Sequence, residues 1–86
     1  MKSFDFRGKE CPEGYILVMR VLDSLRPGED AEVLMDSWRC AAMIVYSLRG
    51  SDRVRFQVDR SGELIRFVFT KVSAPQLTEP QRRSAS

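Results

Sequence analysis

Apolar residues in this chain recur first at alternate positions and then at helical spacing, and the switch occurs twice before two alternating runs close the folded part. This succession of periods constrains the fold more than any other feature, because a strand repeats every second residue and a helix about every 3.6. Phe4-Asp5-Phe6 alternates and predicts a short strand, which Arg7-Gly8-Lys9-Glu10 interrupts. Cys11-Pro12 then opens a helix, since proline suits a first turn where its missing N–H would have no partner. Cys11 is thereby placed at the N-cap. Tyr15, Val18, Leu22 and Leu25 follow at spacings that trace one helical face, with Arg20, Asp23 and Ser24 turned away from it. Pro27-Gly28 is a strong turn signal and ends the helix near Leu25-Arg26.

The second half repeats the scheme. Ala31 to Asp36 predicts a strand with Val33 and Met35 facing one way. Asp36-Ser37 can cap a second helix, whose inner face is read as Trp38, Ala41, Ala42, Val45 and Leu48, with Gly50 as its stop. Arg53 to Asp59 alternates Val54, Phe56 and Val58 against Arg53, Arg55 and Gln57, a half-buried strand with a basic outer face. Arg60-Ser61-Gly62 predicts a hairpin turn, and Leu64 to Lys71 completes the hairpin with Ile65, Phe67 and Phe69 on one face. The order βαβαββ predicts an α/β (α+β) two-layer sandwich: a four-stranded mixed sheet with two helices on one face, joined by right-handed crossovers. The domain is expected over 1–72. The segment 73–86, rich in Ser, Pro, Gln and Arg, is expected to be a disordered tail.

Composition narrows the chemistry. With 86 residues the core is small, so a functional site is expected at the surface near the end of an element. The chain has no histidine, which excludes His-based acid–base catalysis and His-containing zinc sites. Its two cysteines make a poor metal site on their own, and no metal or organic cofactor is called for. Met1 to Arg7 lacks an apolar signal-peptide region and no apolar run approaches spanning length, so a cytoplasmic protein with reduced thiols and no membrane partner is expected. The net charge of +2 does not mark a nucleic-acid binder.

Cys11 is the sharpest candidate. A thiol at a helix start faces the positive end of the helix dipole, which favours thiolate, and a turn position keeps the sulfur accessible. Arg7 and Lys9 are near enough in sequence to add positive charge, while Glu10 and Glu13 oppose it. Cys40, inside the second helix beside Ala41, Ala42 and Met43, reads as structural filler rather than a resolving thiol for Cys11, since buried cysteines are usually inert. A Cys11–Cys40 disulfide requires the two Cα atoms to approach closely, which spacing alone leaves open. Arg53 and Arg55, with Arg60 and Arg66 nearby, are candidates for a basic partner-docking patch, against the reading of a solvated strand face. Trp38 reads as core. Glu13 and Asp36 are carboxylates with no evident acid–base role.

Phe4-Asp5-Phe6-Arg7-Gly8 followed by Cys11-Pro12 resembles the opening of the TusA/SirA-like sulfur-carrier (sulfurtransferase) family, where a hydrophobic-Asp-x-Arg-Gly segment precedes Cys-Pro-x-Pro. Leu25-Arg26-Pro27-Gly28-Glu29 is similar to the turn after that family's first helix. Leu48-Arg49-Gly50 is similar to the end of its second, and Phe67 to Lys71 to its closing strand. The resemblance spans about Phe4 to Val72. It implies a two-layer sandwich and a persulfide on Cys11, flanked by a supporting turn of Arg7, Gly8, Lys9, Pro12, Glu13 and Gly14. It also implies a sulfur donor protein, a cysteine desulfurase or a rhodanese, and an acceptor protein in a sulfur relay. The end uses it implies are tRNA thiolation, molybdenum-cofactor assembly or sulfur oxidation.

Two positions depart from that pattern. Cys-Pro-Glu-Gly stands in place of Cys-Pro-x-Pro, so Gly14 replaces the second proline, and Ser51 stands where the family has His. Glycine in a helix costs up to about 1 kcal/mol, so a frayed first turn is expected, or else room for a partner's backbone. Two other functions fit the same residues: a non-catalytic binding or regulatory module of this fold, and an RNA-binding module using the arginine-rich strand face. Of the two, direct nucleic-acid binding is the less expected.

Overall fold

A computed structural model describes residues 1–72; the expected tail, 73–86, lies outside the described residues. The elements are β1 (Lys2–Asp5), α1 (Glu13–Ser24), β2 (Asp30–Met35), α2 (Trp38–Leu48), β3 (Val54–Ser61) and β4 (Leu64–Lys71). They form a four-stranded mixed sheet in the order β1-β2-β4-β3 with two helices, as the alternation of periods predicts.

β1 and β2 run parallel, with Phe4 beside Val33. A parallel neighbour needs a long crossover, and α1 supplies it. β4 lies antiparallel to β2, setting Phe67 opposite Val33 and Ile65 opposite Met35. β3 pairs antiparallel with β4 and forms one edge. Alternation divides the sheet's two faces. Val33, Met35, Ile65, Phe67 and Phe69 are at most 3% exposed and build the core with Val18, Leu22, Cys40 and Ile44 of the helices. On the other face Glu32, Leu34, Arg66, Val68 and Thr70 are only half-buried. Burying each large apolar side chain contributes roughly 1.5–3 kcal/mol, so the Phe67–Phe69 stack, with centroids 5.2 Å apart, anchors the layer.

Four details differ from the expectations. Cys11 is not the N-cap of α1: Pro12 takes that position, and the helix begins at Glu13. The closing turn is Gly62-Glu63 rather than Arg60-Ser61-Gly62, because the hairpin stays paired through Ser61 and Leu64. Gly62 supplies the positive φ, +62°, that such a tight turn requires. The inner face of α2 is rotated: Cys40, Ala41, Ile44 and Leu48 are buried, Val45 is partly so and Ala42 is exposed. Trp38 is 64% exposed and therefore not core. Position 38 is the first of α2, beyond the end of the buried stripe, and the indole instead carries the Arg60 guanidinium 4.9 Å from its ring centroid.

Two contacts lock the helices in place. Tyr15 and Ser47 share a hydroxyl hydrogen bond of 3.1 Å between α1 and α2. The last turn of α1 has no basic residue of its own, and Lys71 from β4 fills the role, donating from Nζ to the Leu22 carbonyl at 2.8 Å. A cation there answers the negative end of the helix.

Candidate functional site

The connections β1–α1 and β2–α2 leave the sheet at the same end, because β1 and β2 are parallel neighbours. Each brings a cysteine to a helix start. Cys11 directly precedes the Pro12 cap of α1, and Cys40 lies in the first turn of α2. Ser37 caps α2 by accepting the Cys40 backbone N–H at 3.3 Å, so the backbone that carries Cys40 is tied to the helix entry. The two Cα atoms are 5.3 Å apart and the sulfurs are joined as a disulfide. The expectation of two reduced thiols therefore does not hold in this structure. The reading of Cys40 as filler holds only for its burial, which is complete. Cys11 is partly exposed, so the disulfide joins a residue near the surface to one in the core.

Gly14 explains how the pair fits. It lies in the first turn of α1, is buried, and donates its backbone N–H to the Glu10 carbonyl at 2.9 Å, so this part of the first turn is closed rather than frayed. A Cβ built at position 14 would come within 3.1 Å of the Cys40 sulfur and 3.6 Å of the Lys9 carbonyl oxygen. The space left by the missing side chain is occupied by Cys40 of the same chain, not held open for a partner's backbone. The departure from Cys-Pro-x-Pro at position 14 and the cysteine at position 40 are thus one structural feature.

The charges expected around Cys11 are largely matched by neighbours. Arg7 grips Asp5 through two hydrogen bonds of 2.9 and 2.7 Å, and so does not direct its charge at the sulfur. That pairing holds the Asp5 carboxyl at about 2, below its ordinary 3.8, chiefly through the side-chain hydrogen bond from Arg7. Lys9 pairs with Glu13 at 3.7 Å, an exposed contact of small energy. Asp36 serves to position the backbone. Its carboxylate accepts the Gly8 backbone N–H at 2.9 Å and ties the β1–α1 loop to the end of β2. Gly8, at φ +85°, needs the freedom of glycine to make that turn. Together with Lys9, Glu10 and Ser37, these two residues line a shallow depression on the cysteine-bearing end.

The expected arginine patch is divided. Arg55 lies on the open face of the sheet, where Arg66 is bound to Glu32 and stands 3.7 Å from Asp59. Arg53 precedes β3 and is exposed. Arg60 faces the helix side against Trp38. A larger cleft of about 400 Å³ lies where α2 and β3 part, lined by Trp38, Val45, Tyr46, Val58 and Ile65. It came to light only from the packing, because strand alternation counted Val58 as covered and it is 45% exposed. Among the described residues no helix is long and apolar enough to cross a membrane.

No protein-family model matches this chain. No curated protein matches it either.

Proposed function

We propose that this chain is a sulfur carrier of the TusA/SirA-like kind, which accepts sulfur as a persulfide on Cys11 and passes it to the thiol of an acceptor protein. The observation that carries this reading is the placement of Cys11: a partly exposed cysteine just before the start of α1, at the end of the sheet where two crossovers emerge. The Asp-x-Arg-Gly-x-x-Cys-Pro segment and the βαβαββ order support it. The first turn of α1 favours the anionic form of a sulfur beside it. In the transfer, the Cys11 thiolate attacks the outer sulfur of a donor persulfide and releases the donor thiolate. An acceptor thiolate then takes the same sulfur from Cys11. Each step exchanges one S–S bond for another.

The cycle starts from reduced Cys11, so the disulfide has to be opened first. The test is to reduce the protein, remove the reductant, and incubate it with a cysteine desulfurase and cysteine, or with thiosulfate and a rhodanese. The intact mass should rise by one sulfur atom, and Cys11→Ser should abolish the rise. A protein that never gains sulfur from either donor, while Cys11 is freely alkylated, is a binding module and not a carrier.

A further inference from the structure

We propose that Cys40 is a resolving thiol that attacks a persulfide on Cys11 and releases its outer sulfur as hydrosulfide. The inference rests on the reading of Cys11 as a sulfur acceptor and adds an outlet that needs no partner protein. Three observations carry it. The Cα atoms of the pair, at 5.3 Å, already stand at bonding separation in the folded chain, so the attack requires no rearrangement of the backbone. Gly14 leaves the space that the Cys40 sulfur occupies, and a Cβ there would crowd it at 3.1 Å. Cys40 is completely buried while Cys11 is partly exposed, so a donor reaches Cys11 from outside and Cys40 meets it from inside.

The bond in the structure also selects the sulfur attacked. Cys40 Sγ is directed at Cys11 Sγ itself, the inner atom of a persulfide, and not at a point one bond further out. The Cys40 thiolate attacks Cys11 Sγ, the bond from Cys11 Sγ to the outer sulfur breaks, and that sulfur departs with its proton as HS⁻. The outer sulfur is reduced by two electrons and the two cysteines are oxidised to the disulfide. Two equivalents of a small thiol return the pair to the dithiol and leave as their own disulfide. Attack within one folded molecule outcompetes attack by dilute external thiols, since well-placed intramolecular groups act at very high effective concentration. A Cys11 persulfide therefore survives only while an acceptor removes it faster than Cys40 does.

The test loads the reduced protein with inorganic polysulfide, which modifies accessible thiols without any donor enzyme. After desalting, intact mass and released sulfide are followed with time. Wild type should lose its added sulfur, release one equivalent of sulfide, and end as the disulfide, two hydrogens lighter than the dithiol. Cys40→Ser and Cys40→Ala, each checked for native circular dichroism, should retain the sulfur at least tenfold longer, and Gly14→Ala should slow the discharge. Equal retention in wild type and both Cys40 variants overturns the proposal and leaves the carrier reading standing. Failure of the Cys40 variants to hold sulfur at all, from polysulfide or from a desulfurase, overturns both.

Discussion

Gly14→Ala tests the fit between α1 and the Cys40 sulfur, and its sign depends on what occupies position 40. The new Cβ would lie 3.1 Å from Cys40 Sγ, a few tenths of an ångström inside ordinary contact. In the oxidised protein that sulfur is tethered to Cys11 and cannot swing aside alone. Overpacking of a buried site costs about 1–3 kcal/mol, and so small a misfit belongs at the low end. Against this, alanine over glycine in a helix gains roughly 0.5–1 kcal/mol, and a first-turn position takes the smaller share. Gly14→Ala should therefore destabilise the oxidised wild type by about 0.5 kcal/mol and stabilise a Cys40→Ala background by a similar amount. The coupling is then about 1 kcal/mol, as expected for residues in contact. For a domain this size it corresponds to about 4–8 °C in Tm, so urea and thermal unfolding of the four-protein cycle resolve it. If Gly14→Ala raises stability equally in both backgrounds, the sulfur does not occupy the space glycine leaves, and the linkage between positions 14 and 40 is refuted.

Three further outcomes follow from the same structure. The disulfide closes a loop with a sequence separation of 29, for which chain entropy gives about 3–4 kcal/mol; dithiothreitol should lower Tm by about 15–25 °C, and an unchanged Tm would mean the bond is absent in solution. Asp5 titrates in the folded chain at about 2, so the stability it contributes is complete above its ordinary 3.8 and fades as pH falls toward 2; an NMR titration of the carboxyl carbon should show this, and Arg7→Gln should move the midpoint back up. Trp38→Ala should change unfolding stability by less than about 1 kcal/mol, whereas Phe67→Ala should cost about 3–5 kcal/mol; similar losses at both positions would return Trp38 to the core.

Most of the architecture was readable because it rests on period and punctuation. Ile65, Phe67 and Phe69 alternate within a strand covered on one side, so their common face follows from spacing. Pro27-Gly28 and Gly50 mark helix ends through backbone geometry that acts locally. The rotated face of α2 was not readable in the same way. Trp38, Ala41, Ala42, Val45 and Leu48 satisfy helical spacing about as well as Cys40, Ala41, Ile44 and Leu48, and only docking against the sheet chooses between them. At the candidate site, Cys11 was legible from its place before Pro12. Its partner was not, since whether two Cα atoms approach depends on β1 and β2 lying side by side and parallel. Gly14 stands out in the sequence as a departure, but its physical meaning depends on contact with a sulfur 26 positions further along the chain.

The end of the sheet that carries the cysteines is opposite the end where Met1 and Val72 emerge, since Lys2 pairs with Ala31 and Asp30 with Thr70. This has a mechanical consequence. A load applied between those two residues peels β1 and β4 from β2 bond by bond, like a zipper, instead of shearing whole ladders at once. Once β1 is off, the tension reaches Cys11 and passes directly through the disulfide to Cys40. Residues 12–39, one fewer than the separation of 29, then lie outside the path of force. At about 3.4 Å per residue, roughly 95 Å of chain, holding α1 and β2, stays slack until the sulfur–sulfur bond is opened.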